Sequence, residues 1–198
     1  LDLVSDHRAL IPRPETEGLV VLLLGVVRTG RLADIGTGSG CLALSLATEG
    51  GFSEVVATDI SSAALSLARE NRDRTGAPVL LVQGDLCGPL RVGAFDALVS
   101  NPPYLTMDEY AALDPSVRAW EPREALVGGA DGLGSIARLL DEGRAVLRAG
   151  GWLAVEIDCS RAAECAGLAG ALGWTDVAVH ADLFGRERYL LARRSDTT

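Results

Sequence analysis

The chain has 198 residues, 18 of them basic and 27 acidic, and a formal net charge of −9. This acidic balance argues against a protein that holds nucleic acid by charge alone, because such binding depends on neutralising phosphates. Hydrophobic residues make up 48% of the chain and charged residues 23%, which excludes a disordered chain and indicates a single folded domain over residues 1–198.

The counts of a few residue types exclude some kinds of catalytic and metal site. Every basic residue is an arginine, so Schiff-base and other lysine chemistry is excluded. The four cysteines contain no C-x-x-C pair and only two histidines accompany them, so we expect reduced thiols in a cytoplasmic protein and no metal site. No apolar run reaches membrane length, and no signal peptide is evident. Because Met107 is the only methionine, Leu1 is not a translation start, and we expect the chain to derive from a longer one.

Strand and helix patterns alternate along the chain, which predicts an α/β domain around a mostly parallel sheet. Residues 105–130 are predicted to be irregular, a length typical of lids and substrate-binding loops. The predicted helices cover 15–28 behind Pro14, 41–47, a segment capped by Ser61 or Ser62, 136–147 ended by Gly150 and Gly151, and a segment around 165–172. The predicted strands are Arg31–Ile35, Glu54–Thr58, Val79–Gln83, Phe95–Ser100, Trp152–Ile157, Thr175–His180 and Arg188–Ala192, the last two forming a hairpin.

A glycine-rich segment, Asp34-Ile-Gly36-Thr-Gly38-Ser-Gly40, lies between the first predicted strand and the second helix. Its glycines allow a tight turn and a close approach of a ligand to the backbone. A dinucleotide-binding turn would need glycine where Cys41 stands, and no Gly-Lys pair follows as in a P-loop. The segment therefore indicates a ligand site other than a phosphate cradle, with a tight turn that binds nothing as the alternative.

Acidic residues end the next two predicted strands. Asp59 is placed to accept hydrogen bonds from both hydroxyls of a ribose, or else to start the following helix. Asp85 is placed to accept from an adenine amino group while Leu86 covers the ring, although a simple turn carboxylate fits the same pattern. Because parallel strands end at one edge of a sheet, these residues and the glycine-rich segment are expected to lie together.

The segment Asn101-Pro-Pro-Tyr104 follows the fourth predicted strand. Two prolines stiffen the chain and remove two backbone donors. The side-chain oxygen of Asn101 and the carbonyl of Pro102 can then accept both hydrogens of an NH2 group, with the Tyr104 ring beside it. The alternative is a rigid turn with Tyr104 in the core.

Together these segments resemble the class I S-adenosylmethionine-dependent methyltransferases, and in particular the bacterial release-factor glutamine methyltransferases. The resemblance covers about residues 10–193. Besides the two segments above, it rests on Leu10-Ile-Pro-Arg-Pro-Glu-Thr-Glu17, on Glu121-Pro-Arg-Glu-Ala-Leu126 with Gly128-Gly129 and Asp131-Gly132, and on Asp182-Leu-Phe-Gly-Arg-Glu-Arg188.

The resemblance implies a Rossmann-like fold with a seven-stranded, mostly parallel sheet whose last strand is antiparallel. It implies that S-adenosylmethionine donates a methyl group to the glutamine amide in the Gly-Gly-Gln loop of peptide chain release factors, leaving S-adenosylhomocysteine. The expected partner is then a protein, without membrane or direct nucleic acid binding, and we expect this chain to lack the family's N-terminal helical domain. The implied cofactor residues are Asp34, Gly36, Thr37, Gly38, Ser39, Gly40, Asp59, Ile60, Asp85, Leu86 and Asn101, and the catalytic ones are Asn101, Pro102, Pro103 and Tyr104.

Two features keep alternatives open. After Glu156-Ile157 the family commonly has Gly-x-x-Gln, whereas this chain has Asp158-Cys159-Ser160-Arg161. A divergent, cofactor-binding paralogue is therefore one alternative. The same Asn-Pro-Pro-Tyr chemistry also serves ribosomal-protein glutamine methyltransferases and enzymes that methylate amino groups of nucleic acids.

Overall fold

The architecture is a seven-stranded sheet flanked by helices, seen in a computed structural model that describes residues 1–196. Thr197 and Thr198, the last residues of the predicted domain, lie outside the described residues. The strand order is β3-β2-β1-β4-β5-β7-β6. The strands are β1 (Thr29–Ile35), β2 (Gly51–Asp59), β3 (Val79–Gln83), β4 (Phe95–Ser100), β5 (Leu147–Glu156), β6 (Trp174–Ala181) and β7 (Glu187–Arg194).

The direction of the strands confirms the expected fold. β1 pairs in parallel with β2 and β4, and these pair in parallel with β3 and β5. β7, the last strand in the chain, runs antiparallel to both β5 and β6. The carboxyl ends of β1 to β5 consequently lie at the same edge of the sheet. The hairpin of β6 and β7 extends the sheet beyond β5.

The helices occupy the positions that the sequence predicts, apart from two differences. They are α1 (Pro14–Val26), α2 (Cys41–Glu49), α3 (Ser62–Thr75), α4 (Met107–Ala112), α5 (Pro115–Trp120), α6 (Gly134–Val146) and α7 (Ala162–Ala171). As predicted, the Ser61 hydroxyl caps α3 by accepting a hydrogen bond from the Ala64 amide.

The first difference concerns the end of α6. Gly150 and Gly151 were predicted to end this helix, but α6 ends at Val146 and both glycines lie inside β5. The Ala94 amide donates to the Val146 carbonyl, so the chain joins the sheet at once. Gly150, with φ +74°, takes up the irregular register between β4 and β5.

The second difference concerns residues 105–130, which were predicted to be irregular. They contain α4, α5 and a 3₁₀ turn at Arg123–Ala125. Thr106 and Glu109 form a capping box at the start of α4, and the Asp114 side chain caps α5. Neither short helix buries a residue, so the apolar periodicity that reveals other helices is missing here.

An apolar layer covers each face of the sheet. Along β1, Leu32 packs into the layer that contains α1 and α2, whereas Ala33 and Ile35 pack into the layer that contains α6 and α7. The second half of β1 is buried on both faces, which accounts for the adjacent apolar residues Leu32 and Ala33. No helix within residues 1–196 is long and apolar enough to cross a membrane.

Candidate active site

A cavity of about 930 Å³ lies at the carboxyl edge of the sheet, bordered by the glycine-rich loop, the ends of β2 to β4 and the N-terminal segment. Most of the predicted site residues lie along it. Those lining the cavity are Gly36, Thr37, Gly38, Ser39, Asp59, Ile60, Asp85, Leu86, Asn101 and Pro103. Asp34, Gly40, Pro102 and Tyr104 are not among the residues that line it.

The glycine-rich loop has a backbone that other residues rarely adopt. Gly36, Gly38 and Gly40 have φ angles of +70°, +57° and +86°. A Cβ atom at Gly36 would meet no protein atom within 4 Å, so the absent side chain leaves space at the cavity wall. The loop is tied to β2, since the Thr37 amide donates to the Thr58 carbonyl at 2.9 Å.

Asp34 supports this loop from below. It is fully buried, and its Oδ2 accepts hydrogen bonds from the Thr37 hydroxyl at 2.6 Å and the Ala43 amide at 3.1 Å. Its Oδ1 is buried without a hydrogen-bond partner among residues 1–196. Burial raises the pKa of Asp34 to about 7, against the opposing effect of the Thr37 hydrogen bond. The structure therefore gives Asp34 a supporting position under the loop.

Asp59, at the end of β2, joins the loop to the start of α3. Its Oδ2 accepts from the Gly38 amide and its Oδ1 from the Ser61 amide, each at 2.9 Å. Burial raises its pKa above the usual value. A carboxylate has about four acceptor positions, so Asp59 keeps capacity for two further donors on the cavity side.

Two apolar side chains border the cavity beside Asp59. Ile60 is 64% exposed although it is a large hydrophobic residue, and Leu86 is half-buried. Leu86 has φ +45°, an unusual value for a residue with a side chain, and its carbonyl accepts from the Thr58 hydroxyl at 3.2 Å. Ile60 and Leu86 therefore form an apolar wall next to the Asp59 carboxylate. This arrangement suits a ligand in which a flat heterocycle is joined to a sugar.

Asp85 differs from its predicted role in one respect. Its carboxylate is half-exposed and pairs with the Arg138 guanidinium at 2.9 Å, at the rim of the cavity. Arg138 also pairs with Glu142 in the same helix. The carboxylate of Asp85 therefore already has a cationic partner in α6.

Asn101 stands at the cavity wall with its amide oriented. Its Nδ2 donates to the Thr16 hydroxyl at 3.3 Å, and among residues 1–196 no group donates to its Oδ1. Tyr104, which is half-buried, donates its hydroxyl to Oε1 of Glu156 at 3.4 Å. Burial raises the pKa of Tyr104 to about 12. The Asn101 oxygen is thus the free acceptor that the sequence analysis requires.

The segment 105–130, which includes Gly128, holds the backbone of Pro103 and Tyr104. Leu105 forms a single bridge with Val127, through the Leu105 amide to the Leu126 carbonyl and the Gly128 amide to the Leu105 carbonyl. A Cβ atom on Gly128 would lie 2.2 Å from the Pro103 carbonyl oxygen. Gly128 is therefore required by close backbone approach.

The segment Asp158–Arg161, which follows β5, also holds this region. The Asp158 side chain accepts from the Ser160 amide and begins a 3₁₀ turn. Arg161 then pairs with Glu109 of α4 at 2.6 Å. Residues 158–161 thus connect the end of β5 to residues 105–130.

The N-terminal segment, residues 1–13, borders the cavity with residues 7–12, a position that no sequence motif predicts. Asn71, fully buried in α3, accepts from the Val4 amide and donates to the carbonyls of Val4 and Ser39. The His7 ring contacts Trp120 of α5 edge to face. The available signal was a polar residue at an apolar position of α3, where Ala64 and Ala68 precede Asn71.

Comparisons with known proteins place the chain among methyltransferases. Residues 16–114 match the family described as "Methyltransferase small domain". A "Release factor glutamine methyltransferase" of Deinococcus radiodurans is 46% identical, with 98% of this chain and 69% of that protein aligned. A protein of the same description from Nitratidesulfovibrio vulgaris is 41% identical over 98% of this chain and 68% of its own length. A methyltransferase of Pyrococcus furiosus shares the fold at a TM-score of 0.74 and 23% identity, over 98% of this chain and 89% of that one.

Proposed function

We propose that this chain, which belongs to the release factor glutamine methyltransferase family, transfers a methyl group to the side-chain amide of a glutamine in a peptide chain release factor. In that reaction the amide nitrogen forms a bond to the methyl carbon, the carbon–sulfur bond of the donor breaks, and the nitrogen releases one proton to water. S-adenosylmethionine, the cofactor of the family, supplies the methyl group on a positively charged sulfur and leaves as S-adenosylhomocysteine.

The residues at the cavity fit this cofactor. The volume of about 930 Å³ lies within the range of small-molecule sites. Asp59 has two remaining acceptor positions for the hydroxyls of a ribose, and Ile60 and Leu86 provide apolar surface for an adenine ring. Gly36 and Gly38 leave room for the remainder of the molecule along the loop.

The residues at the end of β4 activate the substrate amide by holding it. An amide nitrogen is a poor nucleophile because its lone pair is delocalised into the carbonyl. Acceptance of its two N–H groups by Asn101 Oδ1 and the Pro102 carbonyl favours a pyramidal nitrogen whose lone pair is available. Pro102 and Pro103 have no N–H groups that would compete as donors. This is positioning and electrostatic preorganisation, and the alkylated nitrogen is acidic enough to need no general base.

One observation carries the proposal most directly. Asn101 presents a free side-chain oxygen at the cavity wall because Thr16 holds its nitrogen. A group that must give up two hydrogen bonds from one nitrogen is an NH2 group, and a glutamine amide is such a group.

The partner and the location follow from this proposal. The substrate is a protein, and we propose that it is a release factor, which acts in translation in the cytoplasm. We also propose that residues 1–198 form one catalytic domain, because the layers on both faces of the sheet run through all the parallel strands.

The substrate is tested by offering three candidates together. The protein is incubated with cofactor that carries a labelled methyl group, a release factor, a ribosomal protein and nucleic acid. We expect label on the release factor. Label on the ribosomal protein or on nucleic acid assigns the same site to a different substrate, and label on none of them contradicts the proposed reaction.

A further inference from the structure

A chain of buried polar groups lies behind the cavity wall and meets the Asn101-Pro-Pro-Tyr104 segment at both ends. Thr16 in α1 and Glu156 at the end of β5 are 4% and 2% exposed and are separated by 140 residues in the sequence. The Thr16 hydroxyl donates to Oε2 of Glu156 at 2.9 Å. The Tyr104 hydroxyl reaches Oε1 of the same carboxylate at 3.4 Å.

The hydroxyl of Thr16 has only one hydrogen. Because that hydrogen is given to Glu156, the Thr16 oxygen can act only as an acceptor toward Asn101. Asn101 must then turn its Nδ2 toward Thr16, where the distance is 3.3 Å, and its Oδ1 away from Thr16. The direction of the first hydrogen bond thus fixes the direction of the second.

Positive charge behind the carboxylate supports this polarity. The Arg188 guanidinium lies 3.9 Å from Oε1 of Glu156 and is held by Asp182 at 3.0 Å. Burial raises the pKa of Glu156, and the Thr16 hydrogen bond and the Arg188 charge oppose that effect. In its ionised form the carboxylate can only accept hydrogen bonds, so both hydroxyls then donate to it.

We propose that Glu156, acting through Thr16, is a positioning residue that sets the orientation of the Asn101 side-chain amide and so makes its oxygen the acceptor for the substrate. This inference rests on the proposed function for its kinetic consequence. Its structural consequence, the orientation of the Asn101 amide, does not depend on which substrate is methylated.

The variants Glu156→Gln and Thr16→Val test the proposal. Glutamine keeps the shape of Glu156 but carries an NH2 group that can donate to the Thr16 oxygen, which frees the Thr16 hydrogen for Asn101 Oδ1 and reverses the amide. Thr16→Val keeps the size and removes the hydroxyl. We expect each change to lower kcat by roughly 10- to 100-fold through a misplaced amide, with cofactor affinity retained.

Two control variants accompany them. Thr16→Ser keeps the hydroxyl and should retain most of kcat, which separates the hydrogen bond from the packing of the side chain. Thr48→Val removes a hydroxyl that donates to the Leu44 carbonyl inside α2, and it should leave kcat unchanged. Activity close to that of the unaltered protein in both Glu156→Gln and Thr16→Val would overturn the proposal.

A double change separates positioning from general damage to the fold. In an Asn101→Ala background the oriented amide is already gone, so adding Thr16→Val should cause little further loss of kcat. Losses that multiply in the double variant would show that Thr16 acts independently of Asn101 and would contradict the proposal.

Hydrogen exchange of the Asn101 side chain tests the inference without any methyl transfer, and so also when no substrate is methylated. In the unaltered protein, one side-chain NH2 proton of Asn101 should be protected from exchange by its bond to Thr16, as nuclear magnetic resonance can detect. This protection should be lost in Glu156→Gln and Thr16→Val and kept in Thr16→Ser. Unchanged Asn101 resonances in the first two variants would overturn the inference, whereas absent turnover of the unaltered protein alone would overturn the proposed function.

Discussion

At the scale of single residues, the site places similar carboxylates in different environments. Asp34 is fully buried under the glycine-rich loop, Asp59 is half-buried at the cavity, and Asp85 is half-exposed and paired with Arg138. The environment therefore decides the role of each one: Asp34 supports the loop, Asp59 is available to a ligand, and Asp85 closes the rim.

The buried position of Asp34 predicts a dependence of stability on pH. Its pKa is raised from 3.8 to about 7, so the folded state binds this proton more tightly than the unfolded chain does. The free energy of unfolding should fall as the pH rises from about 4 to about 7, by up to about 4 kcal/mol from this group. Urea unfolding at several pH values, for the unaltered protein and Asp34→Asn, measures the difference. If the free energy of unfolding changes equally with pH in both proteins, Asp34 does not cause the pH dependence.

The free acceptor positions of Asp59 predict a loss of cofactor affinity. Asp59→Ala removes hydrogen bonds between a charged group and two hydroxyls, each contributing about 1.5–3 kcal/mol. We expect cofactor affinity, measured by calorimetry, to fall by at least an order of magnitude. Asp85→Ala serves as the comparison, and a larger loss for that variant would contradict the ranking drawn from burial.

At the scale of elements, short connections determine the geometry of the reaction centre. The bridge between Leu105 and Val127 holds the chain after Tyr104, and Arg161 holds α4 against the end of β5. The N-terminal segment is attached to α3 through Asn71 and so borders the cavity. These contacts join regions far apart in sequence to the Asn101-Pro-Pro-Tyr104 segment, of which Asn101 and Pro103 line the cavity.

The close approach at Gly128 predicts a selective defect. A methyl group there would meet the Pro103 carbonyl oxygen at 2.2 Å, so Gly128→Ala must displace one of the two segments. We expect a loss of about 100-fold in methyl transfer, with cofactor binding retained, because the displaced atoms adjoin Asn101. Gly25→Ala is the matched control, since its Cβ would meet nothing within 4 Å in α1 and alanine favours a helix. Equal activity in both variants would contradict this account.

At the scale of the whole molecule, sequence patterns predict the sheet well because each of the strands β1 to β4 is a largely apolar segment that ends at or just before a predicted site residue. Two of the seven predicted strands, Val79–Gln83 and Phe95–Ser100, have the observed bounds. The exposed helices α4 and α5 could not be found by periodicity, although Thr106 and Glu109 mark a capping box. The pairs Asp85–Arg138 and Thr16–Glu156 could not be predicted, since they depend on how distant segments pack.

The fold places part of the molecule's negative charge at the cavity. The net charge of −9 includes Asp59 at the cavity, where a negative group favours a cofactor that carries a positive sulfur, whereas the charge of Asp85 is already paired with Arg138. Asp34 lies below this surface and does not line the cavity.

The central claim is that Asn101 orients a glutamine amide for methylation, and locating the transferred methyl group tests it most directly. A release factor is incubated with the protein and cofactor, and tandem mass spectrometry assigns the modified residue, with Asn101→Ala and a release factor whose Gly-Gly-Gln glutamine is replaced by glutamate as comparisons. The account predicts one methyl group on the side-chain nitrogen of that glutamine, little in Asn101→Ala and none on the glutamate form. A methyl group on any other residue, or undiminished transfer by Asn101→Ala, would contradict it.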